Sequence, residues 1–227
     1  MTYKYEMNWL WKAAASDTTY KNRALTCLYR TMFQGEPVLV GTDQYRIHMH
    51  WNGEPHNGSC FIQGKLPYDM NAAAKRLEYW PSDLERFFGE PLIGRLTATV
   101  GELRQALNPT KAFVNKPNYP VYLFRRSDSA ELSVYAWSEH GDVETAIPVT
   151  SFAKCAFVAA FNAFYLLDAI HVFQDTATVD LMPTKNTLIV GQPEKNMALI
   201  MSVDKHWIHV PAWVKRPERF LQIVGER

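Results

Sequence analysis

Several sets of side chains have the types and spacing that chemistry uses. His48 and His50 stand at i, i+2, which on a strand points both rings to one face. His206 and His209 stand at i, i+3 near the C-terminus. Either pair could give a metal two nitrogens, but a site needs further ligands and none is identifiable. No metal is expected, and the histidines read as structural or solvated. Asp43, three residues before Arg46, has two readings: a catalytic carboxylate, or a turn former paired with a cation. No nucleophile–base–orienter set accompanies it. The chain contains no glycine-rich phosphate loop, no HExxH, no paired CxxC and no G-x-S-x-G. No catalytic residue and no cofactor are expected. Cys27, Cys60 and Cys155 are odd in number and far apart, which suits buried reduced thiols in a cytoplasmic protein better than a disulfide framework.

The elements that would position these groups are clearest between Phe161 and Val203. An apolar strand at Ala156–Ala160 leads to Asn162, whose side-chain carbonyl suits a helix N-cap. Leu166, Ile170 and Phe173 then fall on one helical stripe over 163–173. Three strands follow, marked by Val179 and Leu181, by Leu188 and Val190, and by Met197, Leu199, Met201 and Val203. The breaks are Pro183-Thr184-Lys185-Asn186 and Gly191-Gln192-Pro193, both turn chemistry. The unit reads β-α-β-β-β.

Two similar units precede it. In the first, residues 1–65, Tyr3 and Tyr5 alternate as in a strand over Thr2–Met7. Asn8 would cap a short helix at Trp9–Ser16. Leu25–Phe33, Val38–Trp51 and Cys60–Gly64 read as strands, with a turn at Gly35-Glu36. In the other, residues 94–150, Thr99 and Glu102 form a capping-box pattern ahead of Leu103 and Leu107, and Asn108-Pro109 interrupts the helix. Strands follow at Val121–Arg125, Leu132–Trp137 and Val143–Val149. Between the two, Asn71–Tyr79 suits a short helix ending before Pro81.

These residues carry a family resemblance. Phe161-Asn162 with Tyr165-Leu166-Leu167-Asp168-Ala169-Ile170 resembles the FN-x-x-YLLD-x-L segment of bacterial sliding clamps, the β subunit of DNA polymerase III. Ala198-Leu199-Ile200-Met201-Ser202-Val203 resembles the strand that ends those proteins. Gly41-Thr42-Asp43-Gln44-Tyr45-Arg46-Ile47 resembles the ATDG-[HY]-RLA segment of their middle domain, with Gln44 where the family usually has glycine. Arg23 and Leu25 resemble its R-x-x-L strand, and Arg76-Leu77-Glu78-Tyr79-Trp80-Pro81 loosely resembles the connector before its last domain. The second half of the middle domain is missing or squeezed into a short stretch. Ser202 replaces a family proline, and Asp204 stands where a basic residue is usual.

The resemblance implies an α+β fold of repeated β-α-β-β-β units, with sheets outside and helices on one face. It divides the chain into an abbreviated clamp-like domain with connector (1–93), a complete C-terminal clamp-like domain (94–203) and an extension (204–227). The implied function is a processivity factor that encircles or binds duplex DNA without sequence preference and tethers polymerase or clamp-loader peptides in a hydrophobic groove. The groove would use Thr42, Tyr45, Arg46, Ile47, Leu199, Met201 and Val203. The DNA-facing cations would be Lys12, Arg23, Lys75, Arg76, Arg104, Lys111 and Lys116. A ring would be a homo-oligomer: a trimer if 66–93 supplies a degenerate fourth unit, a tetramer otherwise. The alternative is an adaptor or decoy of the same fold that binds clamp-interacting peptides without encircling DNA.

Composition leaves both readings open. Net charge is +1, from 24 basic and 23 acidic residues, so no bulk positive charge argues for phosphate neutralisation. Aromatic content is 13% with seven Trp, which packing explains more readily than base stacking. No apolar run is long enough to span a bilayer and no signal-peptide pattern begins the chain, so a cytoplasmic location is expected.

Overall fold

The structure, a computed structural model, describes residues 2–15, 23–51, 60–62, 84–114, 119–126, 129–138, 141–151 and 156–203. The expected helix at 71–79, the connector motif, and the extension 204–227 with His206 and His209 lie outside these residues. Two compact units divide the chain: Met1–Glu90 with Gly191–Leu199, and Pro91–Val190 with Ile200–Arg227.

The first unit opens on a helix, α1 (Thr2–Ala13), where tyrosine alternation predicted a strand followed by a helix capped at Asn8. The stripe that decides it is Trp9, Leu10 and Ala13, all 0% exposed, at the i, i+1, i+4 spacing of a helix face. Tyr5, half of the alternation, is exposed. A 3-10 turn, Arg23–Thr26, precedes β1 (Cys27–Phe33), so the strand begins later than its apolar pattern. β1 pairs antiparallel with β2 (Glu36–Thr42) through a tight turn at Gln34-Gly35, both at positive φ (51° and 83°). Positive φ at both central positions matches the right-handed twist of the flanking strands. β2 in turn pairs with β3 (Arg46–Trp51). The expected single strand over Val38–Trp51 is thus two strands, broken at Asp43. β4 (Cys60–Ile62) joins the other edge of β1, and the start of β13 (Asn196–Met201) lies beside β3. There Trp51 N–H donates to Lys195 O at 2.9 Å, and His50 Nδ1 meets Asn196 Oδ1 at 2.8 Å. Helix α1 packs on β2 and β3. A further short helix, α2 (Leu84–Phe88), sets Phe88 edge-on to Phe33.

The second unit contains β5 (Leu96–Thr99), α3 (Val100–Thr110), β6 (Pro120–Arg125), β7 (Glu131–Ser138), β8 (Gly141–Pro148), β9 (Thr150–Ser151), β10 (Phe157–Asn162), α4 (Ala163–Ile170), β11 (Thr178–Pro183) and β12 (Thr187–Gln192). One sheet runs β12-β11-β5-β9 and another runs β10-β6-β7-β8. α3 packs against α4 and against β7 and β8. Leu103, Ala106 and Leu107 supply the buried stripe of α3, and Ala163, Leu166, Ala169 and Ile170 that of α4.

The helix starts show how local signals fared. Asn162 Oδ1 accepts from Phe164 N at 2.9 Å and Tyr165 N at 3.3 Å, as an N-cap should. Asn162→Ala should cost about 1 kcal/mol, read from the urea midpoint; no change would mean water replaces the cap fully. At α3 the capping box does not form. Thr99 Oγ1 donates to the Glu102 carboxylate, and Val100 and Gly101 donate their N–H groups to the carbonyls of Ala177 and Asp175, each at 2.9 Å. A loop has replaced the side-chain cap. Pro109 sits inside α3, which continues to Thr110.

Candidate functional site

The best-defined candidate is the turn between β2 and β3. Asp43 Oδ1 accepts from Tyr45 N at 3.0 Å and Arg46 N at 3.1 Å, and its Oδ2 accepts from Arg46 Nε at 3.1 Å. Thr42 Oγ1 donates to Arg46 O at 2.6 Å and accepts from Gln44 N at 3.2 Å. The Arg46 guanidinium also donates to the carbonyl of Lys12, tying the turn to the end of α1. Gln44 has φ 79°, the left-handed region that favours glycine. Its strain is held by the bonds on either side. The result is a rigid turn with Tyr45 55% exposed at its tip. Thr42, Arg46 and Ile47 are buried and act as its frame.

Burial sets the charge of this turn. The Asp43 carboxyl is raised above its ordinary 3.8, because burial disfavours the anion more than Arg46 and the backbone N–H groups favour it. A raised acid binds its proton more tightly in the folded state. Its contribution to stability is therefore full below 3.8 and is lost as pH rises through the raised value. Relative to Asp43→Asn, the wild type should gain stability as pH falls from neutral towards 4, in urea melts taken at each pH. The opposite trend would mean that the Arg46 pair outweighs burial.

The remaining groove candidates lie on β13 and just past it. Leu199 belongs to the first unit and is buried, 1% exposed. Met201 and Val203 belong to the second unit, Met201 at 42% exposed and Val203 half-buried. Val203 N–H donates to Ala160 O and Ser202 N–H to Asn186 O, both at 2.8 Å, which fixes this segment beside β10.

No protein-family model and no curated protein matches the sequence. Solved structures do match. The DNA polymerase III subunit beta of Borrelia burgdorferi aligns with TM-score 0.68 at 15% identity, over 89% of this chain and 61% of that one. A sliding clamp of Pseudomonas aeruginosa bound to griselimycin gives 0.70 at 15%, over 89% and 64%. The beta subunit of Thermotoga maritima gives 0.68 at 14%, again over 89% and 64%. The chain has the sliding-clamp fold. It is α+β, and it spans less than two thirds of the length of these proteins.

On this sliding-clamp fold the expected cations are unevenly placed. Lys12 is half-buried in the last turn of α1, where a cation complements the helix dipole. Arg23 opens the 3-10 turn, and only its backbone is described. Arg104 on α3 is ion-paired with Asp175, while Lys111 is exposed just past that helix. Lys75, Arg76 and Lys116 lie outside the described residues. Helix α4 carries no Lys or Arg and one acid, Asp168.

The histidines have separate partners. His48 is fully buried, stacked on Trp9 at 4.3 Å between ring centroids, with Nδ1 2.9 Å from Trp9 O. Among the described residues no three of His, Cys, Asp or Glu gather to hold a metal, and no helix is long and apolar enough to cross a membrane. One surface escaped the sequence reading: a recess beside β10 that includes Lys185. The Pro183–Asn186 stretch gave only a turn signal. Its neighbours in space come from segments far apart in the chain.

Proposed function

We propose that this chain is a sliding-clamp-type tether that catalyses no reaction itself. Copies close into a ring around duplex DNA, and a hydrophobic surface on each copy holds short peptides from a polymerase or clamp loader. Tyr45 carries the reading. A large aromatic ring more than half exposed, on a turn locked by one buried carboxylate, offers contact area at little entropic cost. Met201, the other exposed groove candidate, is flexible and can re-pack around different side chains. Thr42 and Arg46 hold the turn, and Ile47, Leu199 and Val203 complete the proposed set. Duplex DNA would be held by charge alone, through Lys12, Arg23, Lys75, Arg76, Arg104, Lys111 and Lys116. Phosphate contacts carry no sequence information, so such a sleeve can slide.

The pairing of Arg104 with Asp175, and the absence of cations on α4, favour a second reading. The chain would be an adaptor or decoy that takes clamp-binding peptides without encircling DNA. Retention on DNA separates the two. A ring assembled on nicked circular DNA should stay bound in high salt and be released when the circle is linearised. Equal loss from circular and linear DNA, with peptide binding intact, would leave the adaptor reading.

A further inference from the structure

The sheet β10-β6-β7-β8 is apolar on both faces. Residues paired across strands share a face, and Tyr122 pairs with Tyr135 while Phe124 pairs with Ser133 and Val158. Trp137, two residues past Tyr135, joins them. Tyr122 stacks on Trp137 at 4.7 Å between ring centroids, and Tyr135 lies tilted 5.3 Å from Trp137. Phe124, Tyr135, Trp137 and Val158 form one buried cluster with Tyr122 packed against it, and no residue of α3 or α4 belongs to it. The helices therefore take the opposite face, that of Leu123, Leu132 and Val134. An antiparallel sheet with one face on its core ordinarily turns polar side chains to water on the other. Here Tyr135 is fully buried and Trp137 is 9% exposed, although no described residue from outside the sheet joins the cluster.

Such a face needs a cover, and the second unit has one segment that suits. Its stretches outside the described residues are 115–118, 127–128, 139–140, 152–155 and 204–227. Only the last is long enough to cross three strand spacings, about 14 Å, and still lay side chains over the face. It also starts in the right place. Val203 N–H donates to Ala160 O at 2.8 Å, and Ala160 pairs with Tyr122, so the chain leaves from the β10 edge of the aromatic face. The sequence then supplies Trp207, Ile208, Val210 and Trp213, followed by Lys215 and Arg216. At the far edge, on β8, Asp142 pairs with Trp137 and Glu144 with Tyr135, which puts both carboxylates on the same face.

We propose that residues 204–227 form an intramolecular strap across this face. Trp207, Ile208, Val210 and Trp213 cover the Tyr122–Trp137 cluster, and Lys215 and Arg216 meet Asp142 and Glu144 at the β8 edge. The strap closes an aromatic surface that would otherwise bind other proteins or further copies of the chain. It does so whether or not the chain encircles DNA or tethers peptides.

The test is hydroxyl-radical footprinting of the full chain, with oxidised residues located by mass spectrometry. Trp137 should be protected in the wild type. In the double variant Trp207→Ser, Trp213→Ser its oxidation should rise about fivefold, as expected for a side chain on an uncovered sheet face. Trp9, fully buried in the first unit, should stay protected and reports that the fold is intact. Unchanged protection of Trp137 in the double variant overturns the proposal. Should Trp9 become oxidised as well, the variant has unfolded, and carbodiimide cross-linking of the wild type decides instead. A link from Lys215 to Asp142 or Glu144 within one chain supports the strap, and its absence overturns it. Mixing ordinary and heavy-isotope-labelled chains separates the remaining case. A Lys215 link found only between differently labelled copies would make the cover a second copy's segment and overturn the intramolecular assignment.

Discussion

Gly191→Ala should be severely destabilising, more so than Gly41→Ala or Gly35→Ala. Gly191 has φ 149°, where a side chain is strained, and an added Cβ would stand 2.2 Å from Asn196 O and 2.9 Å from Met197 Cα. Both obstacles are backbone of β13, so no rotamer change relieves them. Either Gly191 takes another conformation or the start of β13 moves away. The latter disturbs the bonds that hold Lys195 and Asn196 to Trp51 and His50 in the first unit. The expected loss is about 4 kcal/mol, at the top of the range for point substitutions, measured by urea denaturation. A loss below about 1 kcal/mol would mean that the turn after β12 adapts freely.

Gly41→Ala should follow closely. A Cβ there would meet Leu10 O at 2.5 Å and Leu28 Cδ2 at 2.8 Å. The leucine methyl can turn aside. The Leu10 carbonyl cannot, because it is part of the α1 backbone. The helix must lift from β2, which breaks the Trp9–His48 stack and the bond from Arg46 to Lys12 O. A loss of about 3 kcal/mol is expected. Gly35→Ala is the control. Gly35 has φ 83° but nothing within 4 Å of the new Cβ, so its cost is limited to left-handed strain, about 1 kcal/mol. Equal losses at the two positions would show that the methyl at Gly41 does not displace α1. Peptide binding should fall with Gly41→Ala, since α1 anchors the turn that carries Tyr45.

What the sequence disclosed was local. Asn162 announced its helix because a cap needs only its own neighbours two and three residues on. The strands after it showed through alternation and turn residues. The N-terminal helix was misread because Tyr3 and Tyr5 alternate, while the evidence against a strand, the burial of Trp9, Leu10 and Ala13, depends on β2 and β3. The break at Asp43 was hidden inside an apolar run, although a side chain that bonds its own backbone two residues on is a turn former. Candidate site residues were legible as a segment but not in their division of labour. That Arg46 turns inward to Asp43 and α1 while Tyr45 turns outward follows from tertiary packing. Lys185 could not be found, since its recess joins residues near 93, 158 and 185 that no sequence period connects.

The most direct test of the clamp account is the solution mass of the full chain by light scattering, across concentration and without DNA. The ring reading proposed above expects a stable trimer or tetramer, because a single copy cannot tether topologically. A monomer at every concentration up to the limit of solubility would contradict a preformed ring.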